Sequence, residues 1–165
     1  GQRSLSLFAR GQYGDSKFEH SFFDNVTYND FEALTIRNSG QDWLRSSMKD
    51  IMLTSLMRNS ELDFQEYNPV ATYINGEYWG MYNMREKINE HMLASKHNID
   101  ADSISLLTNN AEIIEGSNEE YNQLINYIEN TDLSNNYNFE YIKERIDLTN
   151  YTLYQVTNIY INNST

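Results

Sequence analysis

Residues Pro69–Lys87 read PVATYINGEYWGMYNMREK. An apolar run, Val70–Ile74, meets Asn75-Gly76, and a second, aromatic run, Tyr78–Met84, follows. Asn-Gly between two strand-like runs is the strongest short-range signal for a β-hairpin, because both residues of a type I′ turn take positive φ. Alternation along the second run sets Tyr78, Gly80, Tyr82 and Met84 on one face and Trp79, Met81 and Asn83 on the other. Large side chains on both faces predict a central strand covered on both sides. An aromatic platform for a sugar is the alternative reading.

Before the hairpin, Arg3–Ala9 alternates with Leu5 and Leu7 on one side, Lys17–Phe23 alternates again, and Phe31–Arg37 carries Phe31, Ala33, Leu34 and Ile36. These runs predict three consecutive antiparallel strands. Arg10–Asp15 is a turn containing Gly11 and Gly14, a spacing that also fits a plain β-turn. Asn38-Ser39-Gly40 ends the third strand. Leu44, Met48, Ile51, Met52 and Ser55 then share a face at helical spacing, and Ser47-x-x-Asp50 approximates a capping box, which predicts a helix to about Asn59.

After the hairpin, Ile88–His97 reads as a short helix with Ile88, Met92 and Leu93 inward. Strands follow within Asp100–Thr108 and Ala111–Glu115. Ser117-x-x-Glu120 is a capping box opening a helix with Tyr121, Leu124, Ile125 and Ile128 on one face. Phe139, Ile142 and Ile146 mark another helix, and Asp147 caps a last one with Thr149, Leu153, Val156 and Tyr160. Strands first and helices last predict an α+β fold with a mainly antiparallel sheet. The division is a sheet-plus-helix part, residues 1–108, and an acidic helical part, residues 109–165, with the change near Asn109–Gly116.

Composition narrows the function. The chain has 165 residues, enough for a real core, and no cysteine, so disulfides, thiolate metal sites and cysteine nucleophiles are excluded. Net charge is −12 but uneven: residues 1–60 hold seven acids and seven bases, whereas residues 100–165 hold eleven acids and two bases. Phosphate backbones repel such a chain, so no nucleic-acid partner is expected. An anionic ligand belongs in the balanced N-terminal part or arrives with a metal ion. No apolar run approaches the roughly 18–20 residues of a membrane span. His20, His91 and His97 lack metal-ligand spacing, and no HExxH, G-x-S-x-G, Walker loop or GxGxxG occurs. These patterns predict no metal site within these residues.

Ile74–Ile88, INGEYWGMYNMREKI, resembles the signature NGEYxGxYxxxEKI of the spore-coat H (CotH) kinase-like family. Leu34–Asp42, LTIRNSGQD, is similar to its LRNSGND segment, Ser46–Asp50 to the helix start that follows, and Arg10-Gly11 with Lys17 to its early glycine turn and strand. The resemblance spans Leu5–Ile88 in the family's order. It implies an atypical protein kinase that binds ATP with Mg²⁺ or Mn²⁺ and phosphorylates secreted or spore-surface proteins. The strands, helix and hairpin would then make a kinase N-terminal lobe.

In that frame Arg10, Gly11 and Gly14 would cover phosphates, Lys17 would pair with them, and Asp50 on the helix would hold the lysine. Met84–Lys87 would be the hinge that touches adenine, and Glu86 would orient the hinge or a lysine. Each residue has a plainer alternative. Lys17 suits a solvated strand edge, Asp50 a helix cap, and Glu86 a salt bridge to Arg85 or Lys87. Family members carry a run like Asp-Trp-Pro-x-Asn after the last helix, and here the chain stops at Ser164-Thr165. The resemblance thus implies that the catalytic and metal-binding acids lie elsewhere, and that these residues alone neither turn over nor retain ATP. The implied location is extracellular or on the spore or cell surface, with a protein substrate or coat partner. A non-catalytic structural or adhesion module using exposed tyrosines is the other reading.

Overall fold

A computed structural model describes residues 2–42 and 45–163. Trp43 and Leu44, the latter read above as part of a helix face, lie outside the described residues. So do Ser164 and Thr165.

The chain forms two units. The first comprises residues 1–59 and 63–99. Its strands are β1 (Leu5–Phe8), β2 (Phe18–Glu19), β3 (Asp30–Phe31), β4 (Ala33–Arg37), β5 (Tyr67–Ile74) and β6 (Glu77–Glu86), with helices α1 (Lys49–Ser55) and α2 (Glu90–His97). The main sheet has the order β1-β4-β6-β5, antiparallel throughout. With the helices, this is the α+β class expected.

The hairpin turns where its sequence says it must, with Asn75 at φ 51° and Gly76 at φ 83°. The ladder slips by one residue at Thr72/Tyr73, so Tyr73 faces Tyr78 while Thr72 faces Gly80. Trp79 is the extra residue, and Gly80 takes φ 128°, a bulge geometry open to glycine. β6 is central, but it is covered over one half only. β4 pairs with Asn83–Glu86 and no further, so Tyr82–Glu86 are buried while Tyr78, Trp79 and Met81 near the tip are exposed.

The three N-terminal strands are not consecutive neighbours. β1 pairs directly with β4, Leu5 opposite Ile36 and Phe8 opposite Ala33. The intervening residues make an excursion, pinned at its base by Ala9 N–H donating to Glu32 C=O at 2.9 Å. Within it β2 and β3 form their own two-residue ladder. The excursion is rich in phenylalanine because it lies over one face of the sheet. Phe23 and Phe31 join Leu34, Ile36, Tyr82 and Met84 in the core. Phe22 and Phe31 meet edge to face at 5.7 Å, and Phe23 and Phe31 at 5.5 Å.

The register sorts the other side chains. Leu34, Ile36, Met84 and Glu86 share the core face, whereas Thr35, Arg37, Asn83 and Arg85 share the opposite one. α1 begins at Lys49, and the Ser47 box does not cap it. Asp42 does: one carboxylate oxygen accepts from Met48 N–H at 3.1 Å and Lys49 N–H at 3.0 Å, and from the Ser46 hydroxyl. Those bonds hold the Asp42 carboxyl down at about 2, the Ser46 hydroxyl contributing most. α2 is capped by Asn89, which accepts from Met92 N–H, and ends on Asn98 in the left-handed region. Met92 points inward as expected, but Ile88 precedes the helix and is exposed.

The second unit comprises residues 60–62 and 100–165. It contains β7 (Leu106–Thr108), β8 (Glu112–Glu115), α3 (Glu119–Asn130), α4 (Asn136–Lys143) and α5 (Leu148–Tyr160). The first unit therefore ends at Ile99. The change of composition near Asn109 falls at the turn of the β7–β8 hairpin, whose two strands need each other for pairing. Asp147 caps α5 by accepting from Asn150 N–H at 2.9 Å. Ser117 accepts from Glu119 N–H, one residue short of a capping box. None of the helices among the described residues is long and apolar enough to cross a membrane.

Candidate functional site

β6 ends in two consecutive charged residues, and alternation sends them to opposite faces of the sheet. Each becomes the centre of a polar cluster.

On the core face, Glu86 is 1% exposed. One carboxylate oxygen accepts from the Tyr28 hydroxyl and the other from the Glu66 backbone N–H at 2.8 Å. Burial and the bond to Glu86 together push the Tyr28 phenol well above its usual range. Glu66, itself buried, is answered by Arg58 at 2.8 Å. Glu86 thus has a fixed orientation, with a hydrogen-bond donor at each carboxylate oxygen.

Beside it opens a cleft of about 260 Å³, lined by Lys17, Tyr28, Asp30, Glu32, Glu86, Lys87 and His91 together with apolar residues of α2. Lys17 sits one residue before β2 and Asp30 opens β3, so the short ladder brings them together at 2.5 Å. The bond to Asp30 raises the Lys17 ammonium above its ordinary value. His91 Nε2 lies 2.9 Å from Glu32 and 3.2 Å from Glu90. Lys87 Nζ stands over the Phe8 ring at 5.3 Å, with the Arg10 guanidinium 5.8 Å from the same ring. Besides the His91 imidazole, the lining holds three carboxylates against two ammonium groups. A polyanion would be repelled here unless it came with cations.

On the opposite face, Arg37 Nε lies 2.8 Å from Asp50 Oδ2, and Arg85 Nη2 lies 3.1 Å from the same oxygen. The Arg85 side chain is 4% exposed. Burial lowers its pKa, Asp50 acts against that, and Arg37 acts with it.

The residues singled out from sequence are therefore divided. Lys17 and Glu86 line one cleft. Met84 is on that same face but packs into the core, and its strand is paired on both sides, to Ile36 and to Asn68. It offers no free main-chain edge to a base. Asp50 lies on the other face and engages Arg37 and Arg85; the acid that holds Lys17 is Asp30. Arg10, Gly11 and Gly14 are in the exposed turn closed by Tyr13 N–H donating to Arg10 C=O at 2.8 Å. Gly14 takes φ 150°, a conformation that favours glycine, while a Cβ on Gly11 would meet open space.

Sequence reading missed Tyr28, Asp30, Glu66 and Arg37 as participants, and it offered Arg85 as a partner for Glu86, whereas Arg85 lies on the opposite face and pairs with Asp50. Tyr28 and Asp30 lie in a stretch that looks like a polar loop. Arg37 and Arg85 lie inside the quoted family segments, and no local pattern pairs either with Asp50. Among the described residues no group of three or more His, Asp and Glu side chains is placed to hold a metal ion.

A family model described as CotH kinase protein matches residues 2–164, nearly the whole chain. No curated protein and no solved structure matches it.

Proposed function

The chain belongs to the CotH kinase protein family, and from that premise we propose that it is part of an ATP-dependent protein kinase whose nucleotide phosphates enter the cleft beside Lys17 and Glu86. The observation that carries this reading is the Lys17–Asp30 pair, a lysine held by an acid at the mouth of a cleft, next to a carboxylate whose orientation is fixed by Tyr28 and Glu66. Phosphoryl transfer asks a protein chiefly for positioning and charge neutralisation, and a held lysine supplies both. The nucleotide would bring Mg²⁺ or Mn²⁺, for which Asp30 and Glu32 are suitable hard oxygen donors. The acceptor class is a secreted, spore-surface or cell-surface protein, and the location is correspondingly outside the cytoplasm.

The test uses the full-length protein with labelled ATP and Mg²⁺ or Mn²⁺. Autophosphorylation is expected, and Lys17→Ala should abolish it. Undiminished labelling in Lys17→Ala removes this lysine from the mechanism, and no labelling of the unaltered protein overturns the kinase reading.

A second reading is favoured by the hairpin tip, where Tyr73, Tyr78, Trp79 and Met81 are all exposed. Exposed aromatic side chains of this kind suit an adhesion or coat-assembly surface. That reading expects no ATP-dependent thermal shift in the full-length protein.

A further inference from the structure

The main sheet has two edge strands, β1 and β5, and they differ. β5 carries Pro69, which blunts an edge because it has no N–H to offer. β1 has no such protection: Leu5–Phe8 contains no proline and no charge, and its ladder with β4 has no bulge. The phase of that ladder is set where Ala9 N–H donates to Glu32 C=O at 2.9 Å. Hydrogen-bonded and non-bonded pairs alternate in an antiparallel ladder, so Leu7 and Leu5 also bond to β4. Ser6 and Phe8 therefore hold their N–H and C=O groups outward, and no backbone partner meets them among the described residues. Beside this free edge Leu7 is exposed on the core face and Phe8 on the opposite one. The local charge is also distinctive. Residues 1–14 hold Arg3 and Arg10 and no acid, in a chain whose net charge is −12. The two arginines stand just beyond the two ends of β1, and Lys87 Nζ lies over the Phe8 ring. None of these three cations is in an ion pair among the described residues.

We propose that β1 is a docking edge for an extended, acid-bearing segment of a partner protein, which joins the sheet as a further strand. Main-chain hydrogen bonds to Ser6 and Phe8 supply affinity, and the side chains around the edge supply selectivity. Leu7 and Phe8 gain apolar cover, one on each face. Acids at the two ends of the segment meet Arg3 and Arg10. A second copy of this chain does not suit the edge. Antiparallel self-pairing about the centre of β1 sets Arg3 of each copy opposite Arg10 of the other, and like charges directly opposite destabilise a sheet. Strand addition also needs no large rearrangement, because the four-stranded sheet is already formed and only its outermost edge is used.

Docking at β1 requires neither Lys17 nor Glu86, so it stands or falls apart from phosphoryl transfer. The test is fluorescence anisotropy of a labelled peptide, Glu-Glu-Val-Thr-Val-Glu-Glu, with the full-length protein and no nucleotide. Saturable binding is expected, and it should weaken as salt rises, because the end contacts join exposed charges. The same peptide N-methylated at its three central residues has lost the donors of a strand. It should bind about tenfold more weakly or worse, the scale of losing one or two hydrogen bonds. A peptide with lysine in place of glutamate should lose at least as much, and so should the acidic peptide with the Arg3→Glu, Arg10→Glu variant. Circular dichroism spectra that superimpose establish that the variant is folded. No binding of the acidic peptide to the full-length protein overturns the proposal. So does equal affinity for the lysine peptide, for the N-methylated peptide or of the charge-reversed variant. A dimer in sedimentation that the acidic peptide does not dissociate would give the edge to a second copy, and overturns it as well.

Discussion

The hydroxyl of Tyr28 donates to a carboxylate oxygen of Glu86, a residue that is 1% exposed. The bond spans the excursion that covers the core face and the last residue of the central strand. Tyr28→Phe keeps the ring, which packs against Phe31 at 5.4 Å, and removes only the donor. It strands a buried carboxylate oxygen, so the expected cost is about 1–3 kcal/mol of folding stability. Urea melts of the two proteins read it directly, and a change within about 0.5 kcal/mol would mean that water replaces the phenol.

Two glycines should answer differently to the same substitution. Gly80 takes φ 128°, and a Cβ there would stand 2.1 Å from the Gln2 side-chain nitrogen. Gln2 can swing away, but the backbone cannot, so Gly80→Ala should cost about 1–3 kcal/mol. Gly11→Ala meets open space at ordinary φ and should be close to neutral in stability. Any loss in phosphoryl transfer from Gly11→Ala would then report on the turn's function. Thermal melts of both variants, side by side, make the comparison.

The start of α1 should be acid-sensitive. The Asp42 carboxyl is held at about 2 in the folded chain, against 3.8 for the free group, because it accepts from Ser46, Lys49 and Met48. A depressed carboxyl contributes stability above its unfolded value and loses it on the way down to its folded value. The contribution is therefore complete above pH 3.8 and fades as pH falls from there toward about 2. Asp42→Asn should remove that window. The difference in melting temperature between the two proteins, measured from about pH 5 to pH 2, should shrink steadily. A difference constant over the range would place the cap elsewhere.

Much of the fold was legible because its signals are local. Asn75-Gly76 demands positive φ at both positions, and it turns the hairpin wherever the rest of the chain goes. Asp147 caps α5 with the amide three residues on. Helical spacing placed Met92 and Ile142 in the interior. The capping of α1 escapes such patterns: Ser47 has the spacing of a box closing on the Asp50 amide, but Asp42 takes the Met48 and Lys49 amides through a turn whose shape is not written in any four-residue pattern.

What the sequence alone determined is the α+β class, the hairpin at its centre and the family, since each rests on residues close together in the chain. What only the tertiary structure decided is the pairing of β1 with β4, and which acid meets which cation: Asp30 with Lys17, and Asp50 with Arg37 and Arg85. The physical reason is range. Turn chemistry and hydrophobic period act within a few residues, whereas burial and ion pairing are set by neighbours brought from distant parts of the chain. Alternation sends Arg85 and Glu86 to opposite faces, but only the folded sheet shows what awaits each of them.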